Sequence, residues 1–145
     1  MSAFCWPARV YWEDTDAGGV VYYANYLKYL ERARTEWLRA QGVSQHSLAQ
    51  ERGIVFTVMS VKLDYRRPAR LDDELLVSCE PRREGAASLS FVQHIYRRAP
   101  EAQPQAEREL LASGEVRIAC VDAATFRPQR LPAFMLSALT AQESC

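Results

Sequence analysis

The chain has 145 residues, 48% of them hydrophobic and 25% charged, with eighteen basic side chains balancing eighteen acidic ones. That is one domain's worth of chain, read here as a single domain over 1–145. It can bury roughly 70% of its unfolded surface without a metal or disulfide staple, and it is too apolar for a disordered polymer. A net charge of zero argues against general nucleic-acid binding, which draws on a basic excess. No apolar run approaches the ~18 residues of a membrane span, and the N-terminus lacks a signal-like apolar region, so a soluble, cytoplasmic protein is expected.

In chain order, Arg9–Trp12 reads as an opening strand. From about Asn25 to Gln41, Leu27, Leu30, Ala33 or Arg34, Trp37 and Leu38 recur at helical spacing, and Gly42 follows as a stop signal. Ser44–Arg52 reads as a short second helix with a Ser cap, closed by Gly53. Four β-rich runs follow: Ile54–Tyr65, Glu74–Arg83, Ser88–Arg98 and Leu110–Val121. Arg67-Pro68 through Asp72-Asp73 separates the first two, Glu84-Gly85 makes a hairpin of the next two, and Ala99–Glu107 is a polar, proline-containing loop. Strands joined by hairpins form an antiparallel sheet whose apolar face the single long helix must cover. The expected fold is α+β: five antiparallel strands wrapped around one central helix.

Several chemistries are absent from the pattern. No nucleophile elbow, phosphate-binding loop, dinucleotide fingerprint or H-E-x-x-H motif occurs. His46 and His94 have no recognisable nucleophile beside them. Cys5, Cys79, Cys120 and Cys145 lack zinc-ligand spacing and fit a reducing compartment, with Cys79 and Cys120 expected as buried thiols. No metal or separate cofactor is expected. Sixteen of the eighteen basic residues are arginine, a composition that suits phosphate recognition where the arginines cluster.

One stretch concentrates chemistry. Tyr11–Tyr29, YWEDTDAGGVVYYANYLKY, packs Glu13, Asp14 and Asp16 beside Gly18-Gly19, immediately before the long helix. A double glycine allows a sharp turn and close approach of a ligand. A helix start carries unpaired N–H groups and partial positive charge, suited to a developing oxyanion. A carboxylate and an oxyanion-stabilising dipole thus share one turn.

Tyr11-x-x-Asp-Thr-Asp16-Ala-Gly-Gly-Val-Val-Tyr-Tyr-x-Asn-Tyr26, followed by Tyr29-Leu-Glu-Arg-Ala-Arg34, resembles the signature of hotdog-fold acyl-CoA thioesterases. The group is the 4-hydroxybenzoyl-CoA thioesterase-like one, and most closely its YbgC-type, Tol–Pal-associated branch. Leu63–Asp73 and Val116–Pro132 extend the similarity, so it covers roughly residues 9–132. The resemblance implies a hotdog fold and hydrolysis of an acyl-CoA thioester to free acid and coenzyme A, the coenzyme entering only as part of the substrate. It implies Asp16 as nucleophile or general base, and the backbone N–H of Tyr23 as the group polarising the thioester oxygen. Tyr23 stands where the most similar branch carries histidine and the hydroxybenzoyl-CoA branch carries tyrosine; a backbone role does not depend on that side chain.

Gly18, Gly19, Tyr22 and Tyr26 are the expected substrate-facing residues of this turn, and Arg66, Arg67 and Arg70 the expected contacts of the CoA phosphates. Arg97 and Arg98, at a strand end, form a second basic cluster. A second hotdog thioesterase branch uses a helix carboxylate as its catalytic group, which makes Glu31 the alternative to Asp16; here it is expected instead to pair with Arg34 or another arginine. A carboxylate that titrates well below neutral pH is a poor general base, which favours direct attack, whereas burial would favour the base mechanism. A thioesterase acting on acyl carrier protein and a non-catalytic acyl-ligand or partner-binding hotdog stay open as alternatives. The sheet's unpaired edges imply a homodimer or homotetramer.

Overall fold

The computed structural model describes residues 4–99, 102–103 and 107–139. Five strands, β1 (Phe4–Arg9), β2 (Ile54–Tyr65), β3 (Glu74–Arg83), β4 (Ser88–Arg97) and β5 (Glu109–Asp122), form one sheet in the order β1-β3-β4-β5-β2. Every neighbouring pair is antiparallel. The long helix α1 (Tyr26–Ala40) connects the two edge strands and lies across one face of the sheet. Strands β2 to β5 fall within a residue or so of the sequence expectation.

The opening strand differs from it. Phe4–Arg9 pairs with β3, whereas Trp12–Asp14 is a 3-10 turn. Pro7 sits inside β1, and a strand at the sheet's edge tolerates a residue that cannot donate to a ladder. The turn forms because the Asp14 carboxylate accepts the Tyr11 N–H at 2.8 Å, an alternative to continued strand pairing.

The helix is amphipathic as its spacing demands. Tyr26, Tyr29, Leu30, Ala33, Trp37 and Leu38 are buried, and they meet Val77, Cys79, Leu89, Phe91 and Ile95 in one core. Trp37 packs edge-on against Phe91 with ring centroids 5.3 Å apart, and burying a side chain of this size contributes roughly 1.5–3 kcal/mol. Leu27 departs from the expected stripe and stays 41% exposed. Ser44 caps α2 (Gln45–Ser47), accepting the Ser47 N–H at 3.0 Å, and a π-helical turn carries the chain on to Arg52. A further short helix, α3 (Ala133–Ala138), buries Met135 and Ala138 and was not anticipated.

Gln93 is completely buried on the helix-facing side of β4. Its Nε2 donates to the carbonyls of Leu30 and Ser78, and its Oε1 accepts from the Arg34 guanidinium at 3.0 Å. Arg34 is therefore tied to the core through Gln93, and the expected Glu31–Arg34 pair does not form; Glu31 accepts instead from the Thr35 hydroxyl. Cys79 and Cys120 are free and buried as expected, and burial pushes both thiols up, Cys120 to about 11. Cys5 is disulfide-bonded, which departs from the expectation of reduced thiols. Cys145 and most of the proline loop at 99–107 lie outside the described residues. Among the described residues, no helix is long and apolar enough to cross a membrane.

Candidate active site

The acidic turn doubles back on itself ahead of α1. Thr15 bridges Val21, the Asp16 N–H donates to the Val20 carbonyl at 2.9 Å, and the Gly19 N–H donates to the Asp16 carbonyl at 3.0 Å. Gly19 has φ +77°, a left-handed conformation that costs a non-glycine residue roughly 1–2 kcal/mol. At Gly18 the requirement is space: a Cβ there would come within 3.2 Å of Asp16 Oδ1, which accepts the Gly18 N–H at 2.8 Å. The Asp16 carboxylate is exposed, and its second oxygen meets no donor among the described residues.

Asp14 is the strut beneath this turn. It is 6% exposed, and its carbonyl accepts both the Tyr22 N–H and the Asn25 side-chain amide at 2.9 Å. The neighbouring Tyr29 hydroxyl is buried and meets no hydrogen-bond partner within bonding geometry among the described residues. Burial first, and the nearby Asp14 carboxylate second, push that hydroxyl well above its ordinary value. Asp14, Asn25 and Tyr29 were not singled out as site residues; D-x-D beside N-Y was the available signal, but only the fold shows which carboxylate points inward.

A 3-10 turn over Tyr23–Asn25 leads into α1. The N–H groups of Tyr23 and Ala24 have no acceptor among the described residues, as the first turn of a helix requires. Tyr22 and Tyr23 are exposed, with ring centroids 4.8 Å apart. The Tyr22 hydroxyl is held above its ordinary value chiefly by Tyr23, with a smaller push from Asp16, so the carboxylate and the two tyrosines share one locality.

Tyr26 is placed differently from expectation. It is 3% exposed, and its hydroxyl accepts the N–H of the fully buried Ala69 at 3.0 Å. It thus fastens the 66–73 segment to the helix start rather than presenting a surface to substrate. The same segment meets the turn through the Val21 N–H to Ala69 carbonyl bond at 2.8 Å and a Val20–Arg70 bridge. Of the three arginines expected there, Arg67 pairs with Glu109 at 3.2 Å, whereas the exposed Arg66 and Arg70 side chains have no ion-pair partner among the described residues. Arg97 binds Asp73 at 3.0 Å, Glu109 and the Pro68 carbonyl, bracing the segment from below.

A cavity of about 240 Å³ lies between α1 and the edge strand β2, lined by Trp37, Phe56, Val58 and Phe91 with Glu31 and Arg34 among its polar groups. His46 is exposed. His94 does have a hydroxyl beside it, contrary to the sequence reading: its Nδ1 lies 3.0 Å from Ser113 Oγ. Its neighbours Gln93 and Ile95 face the core, so alternation puts His94 on the sheet face away from α1. No group of three or more His, Cys, Asp or Glu side chains that could hold a metal converges among the described residues.

The fold and the turn together define a hotdog domain with an exposed carboxylate set against a helix start. The model of the thioesterase-like superfamily matches residues 10–139, and the chain belongs to that family. Among curated proteins, it is 46% identical over 129 residues to the acyl-CoA thioester hydrolase YbgC of Escherichia coli O6:H1, covering 89% of this chain and 90% of that one. It is 40% identical over 131 residues to the acyl-CoA thioesterase YbgC of Haemophilus influenzae, covering 90% of each. Among solved structures, a probable thioesterase from Bartonella henselae superposes with TM-score 0.79 at 33% identity, covering 90% of this chain and all of that one. A 1,4-dihydroxy-2-naphthoyl-CoA thioesterase from Synechocystis shares the fold, with TM-score 0.83 at 24% identity and 96% of each chain covered.

Proposed function

We propose that this chain is an acyl-CoA thioester hydrolase in which Asp16 acts on the thioester carbonyl and the start of α1 stabilises the oxygen. The observation that carries this reading is an exposed Asp16 carboxylate on a glycine turn, adjoining a helix start whose first N–H groups meet no acceptor among the described residues. The superfamily match and the extent of identity to the two YbgC proteins support the substrate class.

Asp16 attacks the carbonyl carbon, or takes a proton from the water that does. The carbonyl electrons move onto oxygen, where the Tyr23 N–H and the helix dipole stabilise the charge. Collapse expels the coenzyme A thiolate, a good leaving group; on the direct route this leaves an acyl–Asp16 anhydride, which water hydrolyses to the free acid, restoring the carboxylate. Gly18 and Gly19 leave the approach clear, and Tyr22 and Tyr23 offer aromatic faces beside it. Arg70, whose backbone bridges Val20 of the turn, and Arg66 of the same segment are exposed, have no ion-pair partner among the described residues, and are the phosphate contacts, with Arg67 drawn partly away by Glu109. Arginines without an ion-pair partner among the described residues, on the segment bridged to the turn, favour a phosphate-rich carrier such as coenzyme A.

The active unit is a homo-oligomer. Edge strand β2 is twelve residues long and exposes Val58, Met59, Val61 and Tyr65, an apolar edge that a second copy would cover.

Asp16→Asn keeps size and removes charge. It should leave folding intact and lower kcat at least ~10²-fold with KM little changed. Glu31 lies about 12 Å further along the helix axis than Tyr23 by residue count, so Glu31→Gln should cost far less. An Asp16→Asn enzyme within about threefold of wild-type kcat, alongside a folded but inactive Glu31→Gln, would overturn the assignment.

A further inference from the structure

The oxyanion site has a support that comes from a distant part of the chain. Tyr65, the last residue of β2, donates its hydroxyl to the Tyr23 carbonyl at 2.7 Å. Its ring stands edge-on to buried Tyr26 with centroids 5.1 Å apart, and Tyr26 is itself bonded to the Ala69 N–H. The hydroxyl is therefore aimed by an aromatic contact anchored in the core, although Tyr65 is 47% exposed.

The Tyr23 carbonyl and the Ala24 N–H belong to one planar trans peptide unit, so they point in opposite directions. Fixing the carbonyl fixes the N–H. A hydrogen bond accepted at the oxygen also polarises the amide, making its N–H a stronger donor by ~10–30% in bond strength. The Ala24 N–H has no acceptor among the described residues, and Ala24 is exposed.

We propose that Tyr65 is a positioning residue for the oxyanion site: by holding the Tyr23 carbonyl it presents the Ala24 N–H as a second donor, beside that of Tyr23, to the thioester oxygen. The inference rests on the reading of the Asp16 turn as the catalytic one. Burial, with Tyr26 and then Tyr23 adding to it, raises the Tyr65 hydroxyl above its ordinary value, so it stays a donor at neutral and mildly basic pH.

Tyr65→Phe removes the donor and keeps the ring against Tyr26. Losing a direct oxyanion donor costs ~10²–10³ in kcat, so loss of the group that aims one should lower kcat about tenfold, with KM within about twofold and little change in Tm. A purely structural role would not move the carbonyl stretch of a bound dethia-ketone acyl-CoA analogue. Here that stretch, lowered by polarisation in the wild type, should return toward its free value in Tyr65→Phe. Replacing Ala24 with lactic acid exchanges its N–H for an ester oxygen. It should cost at least as much as Tyr65→Phe, and adding Tyr65→Phe to it should cost little more.

Wild-type kcat and carbonyl stretch in Tyr65→Phe, or a silent lactate replacement, would overturn the proposal. A raised KM alone would do the same, as it would make Tyr65 a binding contact. If these variants are silent while Asp16→Asn is inactive, the inference falls and the catalytic reading stands. An active Asp16→Asn removes the reading on which the inference rests.

Discussion

Tyr26→Phe separates a residue that holds the site together from one that touches substrate. The Tyr26 hydroxyl accepts the N–H of Ala69, which is 0% exposed, so the variant leaves a buried donor with no protein acceptor. An orphaned buried polar group costs ~1–3 kcal/mol. For a chain of this length, each kcal/mol moves Tm by ~2–4 °C, so a fall of about 2–12 °C is expected. The ring contacts to Tyr29 at 6.4 Å and Tyr65 at 5.1 Å remain, so the loss isolates the hydrogen bond and not the packing. Thermal unfolding followed by circular dichroism gives Tm, and amide exchange at Ala69 should accelerate more than exchange in β4. Because the 66–73 segment also carries Arg66 and Arg70, KM for acyl-CoA should rise modestly and in step with the lost stability. A variant with Tm within about 1 °C of wild type and a strongly raised KM would refute this reasoning and return Tyr26 to the substrate surface.

Two further outcomes are expected. Burial lowers the His94 pKa from 6.5, against the pull of Glu80 and with help from Arg66. As pH falls below about 6.5 the unfolded chain therefore takes up this proton before the folded one, and stability is lost toward the lower, folded pKa. The Tm difference between about pH 7.5 and pH 5.5 should be smaller in His94→Gln than in wild type, and an equal or larger difference would assign the acid sensitivity to other groups. The exposed apolar edge of β2 should be covered in solution, so light scattering at micromolar concentration should give at least a dimer mass; a monomer would contradict the proposed assembly.

By itself, the sequence determined the elements whose signals are local. The α1 stripe repeats within one helix, Gly42 follows its end, and Ser44 caps the next, so each was readable from neighbouring residues. Strands β2 to β5 were legible because β-rich runs alternate with strong turn residues. The Asp16 turn was legible because glycines and a carboxylate sit within four positions of one another, although its catalytic role came from resemblance and remains a proposal. β1 lies upstream of the expected Arg9–Trp12 strand, at a sheet edge that tolerates Pro7, and that edge position is set by pairing with β3 rather than by neighbouring residues.

Tertiary structure decided what joins residues far apart in the chain. Arg34 meets Gln93, Tyr26 meets Ala69, Arg67 meets Glu109 and Tyr65 meets Tyr23, across separations of 59, 43, 42 and 42 residues. Such pairs depend on strand order and register, which place β1 and β2 at opposite edges with α1 between them. The side chain that turns inward is then chosen by the face it lands on. Helical and alternating periods record burial along one element, whereas a hydrogen bond between elements is fixed only when packing sets their distance and rotation.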